Sequence, residues 1–149
     1  MTTIKLREAN TQDLQDLSKL FEELMEVPSN IEAMERTLAK ITADPHYFLA
    51  AACDGDQVIG TAMGIECYDL VGQCHPFLLV ENVVVSPNYR GQGIGKLLMQ
   101  RLEQFAEERG CSYIIFVSSG YREKAHQFYR SLGYSSDNQG FKKQLRDLG

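Results

Sequence analysis

The sequence has 149 residues, of which 44% are hydrophobic and 23% charged, and its formal net charge at pH 7 is -5. That length suits one domain around a single hydrophobic core. The acidic balance argues against a nucleic-acid-binding surface, which needs a dominant basic stripe. No stretch has the length and apolarity of a membrane helix, and the N-terminal segment lacks the apolar core of a signal peptide. We therefore predict a single cytoplasmic domain over residues 1–149 that binds neither nucleic acid nor membrane.

The first half of the chain predicts a strand, two helices and two further strands. Residues 4–9 alternate between apolar and polar side chains, which is typical of a half-buried strand. Apolar residues then recur at helical spacing over residues 11–27, and Asn30 can cap a second helix from about Ile31 to Ala43. Residues 46–70 predict two strands joined at the turn DGDQ.

The second half predicts a strand from about Pro76 to Val85, a glycine-rich turn and a helix from about Gly93 to Arg109. The segment SYIIFVSS predicts a short strand of the kind buried on both faces. A short helix in REKAHQFYRSLG follows, and two last strands surround SSDNQG. The order β-α-α-β-β-β-α-β-α-β-β predicts an α/β fold, a mixed sheet with helices on both faces.

The four cysteines predict neither a metal site nor a redox pair. Cys67, Cys74 and His75 lie nearest to one another, but their spacing matches no common zinc pattern and no second ligand pair follows. We predict no metal, and thiols kept reduced in the cytoplasm.

The turn RGQGIG, from Arg90 to Gly95, does not match two familiar phosphate-binding loops. A P-loop needs a hydroxyl residue after its Gly-Lys pair, and Leu97 stands there. A dinucleotide fingerprint needs a third glycine, and its two possible registers place Lys96 or Leu98 at that position. The turn does match the pattern R/Q-x-x-G-x-G/A at every fixed position.

With this pattern, the sequence resembles the GNAT superfamily of acetyl-CoA-dependent N-acetyltransferases, and the element order extends the resemblance over nearly the whole chain. The resemblance implies that acetyl-CoA is the co-substrate. It also implies a single domain whose twisted sheet has about six to seven strands and splays between the fourth and fifth. The pyrophosphate would lie against Arg90, Gly91, Gln92, Gly93, Ile94, Gly95 and Lys96.

The chemistry of pyrophosphate binding explains why glycines and basic residues occur in this turn. Glycines let the main chain approach closely, and free N–H groups at a helix start point at anionic oxygens. Arg90 and Lys96 add positive charge, although either is equally open to a solvated role. The alternative for the whole turn is a tight connection that binds nothing.

The strand before the turn supplies the next part of the implied site. In the resemblance, the gap beside it admits the pantetheine arm, which hydrogen-bonds the main chain near Val83, Val84 and Val85. Glu81 lies within an otherwise apolar run and is a candidate general base, acting directly or through a water. A solvent-facing or ion-paired carboxylate is its alternative.

The segment AHQFYRSLGY resembles the second signature of the family, with Phe128 among the cofactor contacts. Tyr129 falls where the resemblance places the general acid, which protonates the departing thiolate. A core aromatic is the alternative. Arg122 stands where many relatives carry an asparagine that contacts the cofactor. It is open to three roles: a phosphate contact, part of the acceptor pocket, or a solvated residue.

The predicted function is transfer of acetyl from acetyl-CoA to a primary amine by direct attack in a ternary complex. None of the cysteines falls in either signature, so no acyl-enzyme is expected. A small-molecule amine is favoured over a peptide amine, and Glu22, Glu23 and Glu26 are open to attracting a cationic acceptor or to forming a wet helix face. The alternatives are a catalytically silent acyl-CoA sensor and, more remotely, a Rossmann-type oxidoreductase. Dimers are common in the family.

Overall fold

The helices and strands follow one another in the predicted order as far as the last helix. The structure, a computed structural model, describes residues 3–118 and 123–149. The chain divides into two compact units, Met1–Ile115 and Phe116–Gly149. The elements are β1 (Ile4–Glu8), α1 (Leu14–Met25), α2 (Ile31–Ala43), β2 (Tyr47–Asp54), β3 (Gln57–Cys67), β4 (Phe77–Val85), α3 (Ile94–Glu108), β5 (Ile114–Ile115) and α4 (Glu123–Ser131), with short 3-10 turns at Thr11–Asp13 and Pro87–Tyr89.

The first unit contains a five-stranded mixed sheet in the order β1-β2-β3-β4-β5. Strands β1 to β4 pair antiparallel, whereas β4 pairs parallel with β5 at two positions, Leu78 with Ile114 and Leu79 with Ile115. A parallel pair needs a crossover connection, and α3 provides it. The mixed α/β fold is thereby confirmed, and the pairing between the fourth and fifth strands is as short as a splayed sheet requires.

The sheet has five strands in the described residues, where the resemblance implied six or seven. The last two predicted strands are absent, since residues 132–149 form neither helix nor strand. Phe141 and Leu145, the apolar residues of FKKQL, are 89% and 85% exposed, so no apolar strand face is buried there. Nor is β5 buried on both faces, because Ile115 is 41% exposed.

Helices cover both faces of the sheet because β2 and β3 are apolar on both. Leu49, Ala51 and Cys53 alternate along β2 and pack in one buried cluster with Leu17 and Leu20 of α1 and Leu38 of α2. On the opposite face, the ring of Phe48 lies 5.1 Å from that of Phe105 in α3. Period-two alternation thus assigns α1 and α2 to one face and α3 to the other. No helix in the described ranges is long and apolar enough to cross a membrane.

Two glycines of β3 allow α3 to lie close to the sheet. A Cβ at Gly60 would approach Ile94 Cγ2 and Leu98 Cδ1 to 3.3 Å, and one at Gly64 would approach Leu102 Cδ2 to 3.2 Å. These distances are at the tight end of van der Waals contact, so a side chain would push the helix away. The close contact fixes the start of α3 beside the end of β4.

A partly buried ion pair fastens β1 to the start of α1. Arg7 donates two hydrogen bonds of 2.8 Å to the carboxylate of Asp13, which also accepts one of 2.8 Å from the backbone N–H of Asn10. Asn10 and Asp13 form a reciprocal capping box, and the Asn10 side chain also accepts from the N–H of Gln12. Hydrogen bonding from Arg7, opposed by burial, lowers the pKa of the Asp13 carboxyl below its ordinary value.

Replacing this carboxylate should destabilise the fold in a pH-dependent way. For Asp13→Asn we expect the free energy of unfolding at pH 7 to fall by about 2 kcal/mol, because Arg7 loses a nearly buried partner. The pKa of Asp13 is lowered in the native state, so its contribution is present above the unfolded pKa of about 3.9 and is lost as the pH falls through the native pKa. Urea unfolding at pH 7 and near pH 3 tests this. The exposed Asp147→Asn should change little, and an equal loss at both pH values would contradict the assignment.

Candidate active site

An extra residue in β4 interrupts its pairing with β3. Thr61 pairs with Val84 and Met63 with Glu81, so three steps along β4 oppose two along β3. Asn82, inside this bulge, has φ of 57°, in the left-handed region that non-glycine residues seldom adopt. A bulge bends and twists its strand, and this one lies just beyond the two positions at which β4 pairs with β5. The bulge and the splay therefore coincide.

The far edge of β4 is unpaired from Val80 to Val85 within the described residues, because its pairing with β5 ends at Leu79. The predicted pantetheine contacts, Val83, Val84 and Val85, lie on this stretch. The side chain of Val84 is buried, 6% exposed, and belongs to the cluster under α1 and α2. Main-chain groups are consequently what this edge offers to a ligand, as an extended strand would use them.

The glycine turn after β4 is open to solvent. Gly91 and Gly93 have φ of 77° and 78°, the left-handed conformation that glycine adopts without strain. A Cβ at either position would meet no atom within 4 Å, so the glycines do not serve close packing within the described chain. What they provide is main chain that an incoming group can approach directly.

Helix α3 begins at this turn with its first N–H groups unbonded. Its first hydrogen bond runs from the Leu97 N–H to the Gly93 carbonyl, so the N–H groups of residues 94–96 have no acceptor among the described residues. Ile94 is only 2% exposed and fixes the helix start in the core, whereas Lys96 is exposed. Exposed N–H groups at the positive end of a helix dipole attract anions. The predicted contacts Gly95 and Lys96 thus lie together at one helix start.

Arg90 is held by two protein groups. Its Nε donates to the Val85 carbonyl at 3.2 Å, and its Nη2 lies 3.2 Å from Glu23 Oε1 on α1. The guanidinium remains 60% exposed. Arg90 therefore joins the end of β4 to α1, a contact that the sequence did not predict. Gln92 faces solvent, and its amide lies 3.5 Å from the Asn88 carbonyl.

Two of the three glutamates that were considered for attracting an amine have structural partners for their carboxylates. Glu22 Oε1 accepts from the Ser29 N–H at 2.9 Å and closes the turn between α1 and α2. Glu23 pairs with Arg90. Glu26 ends the helix in a left-handed conformation, with its N–H bonded to the Glu22 carbonyl. Two of the three carboxylates are thus engaged in holding loops.

Glu81 is exposed at the bulge, and no partner to its carboxylate occurs among the described residues. It pairs with Met63, which in turn pairs with Leu49, so Glu81 lies on the sheet face that α1 and α2 cover. Solvation accounts for an ionised group in this apolar run. The exposed position leaves the carboxylate accessible to a substrate or a water.

Tyr129 lies in the second unit, on α4. Its ring packs at centroid distances of 4.4 Å from Phe116, 5.2 Å from Phe128 and 6.3 Å from Tyr134. The Tyr134 N–H bonds the Tyr129 carbonyl at 3.2 Å and helps to close the end of the helix. Tyr129 and Phe128 are therefore half-buried members of an aromatic cluster. Arg122 lies outside the described residues.

The four cysteines are free thiols, and two of them are poorly suited to a nucleophilic role. Burial raises the pKa of the Cys53 and Cys111 thiols, which disfavours the reactive thiolate. Among residues 3–118 and 123–149, no group of three or more His, Cys, Asp or Glu side chains could hold a metal ion.

Comparison with known proteins identifies this arrangement of strand, turn and helix. A profile described as "Acetyltransferase (GNAT) family" matches residues 14–134. The chain belongs to the GNAT acetyltransferase family. The profile extends from the start of α1 to Tyr134 and so includes both signature segments.

Individual GNAT relatives act on different small amines, according to their names. The chain is 30% identical to streptothricin acetyltransferase of Streptomyces lavendulae over 93 residues, which are 62% of this chain and 46% of that protein. It is 26% identical to aminoalkylphosphonate N-acetyltransferase of Salmonella typhimurium over 145 residues, 97% of this chain and 94% of that protein. The chain therefore spans less than half of the first relative and nearly all of the second.

A solved acetyltransferase structure agrees with the fold over almost the entire chain. A Trypanosoma brucei acetyltransferase superposes with a TM-score of 0.85 at 26% identity, covering 96% of this chain and 100% of that one. Agreement at this level confirms the GNAT-like fold. It leaves the acceptor open, since one fold hosts many acceptors.

Proposed function

We propose that this protein is an N-acetyltransferase that moves acetyl from acetyl-CoA to a primary amine. The observation that carries the proposal is the open turn at Gly91 and Gly93, which leads directly into the unbonded helix start and follows the unpaired edge of β4. This arrangement offers N–H donors for a diphosphate and a strand edge for an extended amide-bearing arm. Acetyl-CoA contains both groups, and GNAT membership supports the same co-substrate.

The proposed chemistry is one direct transfer. The neutral amine nitrogen attacks the thioester carbonyl and forms a C–N bond. The tetrahedral intermediate then collapses by breaking the C–S bond, and coenzyme A leaves as a thiolate that takes up a proton. A backbone N–H near Val83 is suited to stabilise the oxyanion, Glu81 to accept the amine proton directly or through a water, and Tyr129 to protonate the sulfur. The role of Glu81 is proposed from its carboxylate in an apolar run, and the other roles are proposed from the resemblance.

A small-molecule acceptor is favoured over a peptide amine. The streptothricin and aminoalkylphosphonate enzymes are both named for small amine substrates. A homodimer and a cytoplasmic location stay predictions, and Arg90, Lys96 and Arg122 stay candidate phosphate contacts. The second candidate function, an acyl-CoA sensor without turnover, is disfavoured by the presence of both Glu81 and Tyr129 in the chain.

An amine panel tests the proposal. Purified protein with acetyl-CoA is offered aminoalkylphosphonates, amino sugars, aminoglycosides, polyamines, amino acids and peptides, and released thiol is measured. Amine-dependent thiol release with at least one small amine is expected. Binding of coenzyme A without release across the panel would favour the sensor, and absence of binding would refute both functions.

Substitution of Glu81 tests the base. For Glu81→Gln we expect kcat/KM for the amine to fall about 10- to 100-fold at pH 7, because no carboxylate accepts the ammonium proton. The deficit should shrink as the pH approaches the pKa of the amine, where the nucleophile is already neutral. The measurement is a pH profile of kcat/KM. The exposed Glu108→Gln is the control, and a deficit that stays constant with pH would contradict the assignment.

A further inference from the structure

Little apolar burial holds the segment between β4 and α3 in place. Asn88, Gly91, Gln92 and Gly93 are all exposed, and the first deeply buried residue after Val84 is Ile94. A loop that buries little apolar surface needs polar contacts to be ordered before a ligand binds. Without such contacts it becomes ordered only on binding, and the free-energy cost of that ordering lowers the affinity for the ligand. The side chains that make such contacts are therefore candidates for control of binding.

One such contact reaches across the sheet. The Tyr89 hydroxyl, immediately before the glycine turn, donates a hydrogen bond to Asp54 Oδ2 at the end of β2. This bond raises the pKa of the Tyr89 hydroxyl and keeps its proton in place. Since β3 lies between β2 and β4 in the sheet, Tyr89 spans the start of β3 to make the contact. Arg90 makes the neighbouring contact to Glu23 and Val85.

Asp54, the attachment point for Tyr89, belongs to the paired sheet. Its main chain is paired on both sides, with Ile4 of β1 and Gln57 of β3, so the residue lies inside the sheet ladder. A hydrogen bond to an ionised carboxylate is stronger than one between neutral groups. Tyr89 therefore couples the start of the turn to a residue whose main chain is paired within the sheet.

We propose that Tyr89 and Asp54 are positioning residues for coenzyme A, whose hydrogen bond holds the glycine turn in its binding conformation before the ligand arrives. Neither residue is required to touch the cofactor. The proposal rests on the proposed function, since it assumes that the turn receives the diphosphate. It predicts an effect on cofactor affinity with none on the chemical step.

A double-mutant cycle tests the coupling. Tyr89→Phe, Asp54→Ala and the double variant are compared by titration calorimetry with coenzyme A. Each single change should raise Kd about 3- to 10-fold. The Kd of the double variant should equal that of the single variant that binds coenzyme A more weakly, because both changes remove the same hydrogen bond. The proposal would be overturned if the fold-increases in Kd of the two single variants multiply in the double variant. It would also be overturned if the affinities for coenzyme A are unchanged.

Matched control variants separate the loss of the Tyr89–Asp54 hydrogen bond from the loss of a negative charge or of a hydroxyl elsewhere. Asp56→Ala removes an equal charge two residues from Asp54, and Tyr113→Phe removes a hydroxyl with no partner in the described chain. Both should bind coenzyme A like the wild type. Asp54→Asn, which keeps an acceptor oxygen for Tyr89, should recover most of the affinity.

Kinetics distinguish positioning from general destabilisation. In Tyr89→Phe, KM for acetyl-CoA should rise while kcat and KM for the amine stay within twofold of wild type. A fall in kcat or a parallel rise in both KM values would refute the positioning role. Failure of the wild type itself to bind coenzyme A would refute the proposed function instead, so the two failures are distinguishable.

Discussion

Replacing Gly93 by glutamate is expected to lower the affinity for coenzyme A at least 100-fold. The residue caps α3 with φ of 78°, so any side chain there is strained by about 1 kcal/mol. The new carboxylate would also lie in the open space that the diphosphate is proposed to occupy. Like charges about 4 Å apart repel by roughly 4 kcal/mol at an effective dielectric of about 20, and each 1.4 kcal/mol is about tenfold in affinity.

Two further glycine variants separate charge from strain. Gly93→Ala introduces the strain alone and should weaken binding by about tenfold or less. Gly72→Glu is the matched control, since Gly72 also has positive φ, 62°, with no atom near an added Cβ, but lies in the loop between β3 and β4. Titration calorimetry with coenzyme A and a thermal melt of each variant provide the measurements. Near-normal affinity in Gly93→Glu would refute the placement of the diphosphate.

Local signals in the sequence sufficed for the main elements of the fold. The second helix occupies Ile31–Ala43 as its cap and spacing predicted, and the side chain of Asn30 accepts a bond from the Ala33 N–H. The strand and helix that flank the glycine turn differ from prediction by about one residue at each end. These signals are reliable because helix capping and apolar periodicity depend on residues that are only a few positions apart in the sequence.

The strand predictions near the C-terminus failed because strands depend on partners distant in sequence. The apolar and polar residues of FKKQL alternate enough to predict a strand. A strand forms only where it pairs with a neighbouring strand, and five residues do not determine that pairing. The same limit applies to β5, which is flanked by Tyr113, Phe116 and Val117 in sequence but has only two ladder positions. Apolar content alone could not show where the sheet opens.

The side-chain contacts that order the site were also beyond the sequence. Asp54 and Tyr89 are 35 positions apart, and Glu23 and Arg90 are 67 apart. Either carboxylate could equally well have been a solvated surface group. The sequence contains one weak signal for the bulge. Asn82 is a polar residue within an apolar run, and asparagine tolerates the left-handed backbone conformation. Motifs therefore indicate where a ligand binds, whereas the structure indicates what holds the binding residues in place.

Replacing Tyr129 by phenylalanine is expected to lower kcat about 100-fold while leaving the affinity for coenzyme A within twofold of wild type. Phenylalanine keeps the ring and so preserves its packing against Phe116, 4.4 Å away, and Phe128, 5.2 Å away. Only the hydroxyl is lost, and with it the proposed proton donor to the departing thiolate. General acid catalysis typically contributes about 100- to 10,000-fold, so a loss near the lower limit already exceeds what a packing change would produce.

The measurement is steady-state turnover of an amine identified by the panel, with calorimetry of coenzyme A beside it. A fall in kcat and kcat/KM together marks an interaction made only in the transition state. Tyr134→Phe is the control, because it removes a hydroxyl from the same aromatic cluster and keeps the ring. Because a phenol that merely fills the core would tolerate the change, unchanged turnover in Tyr129→Phe would return Tyr129 to a structural role and leave thiolate protonation to water.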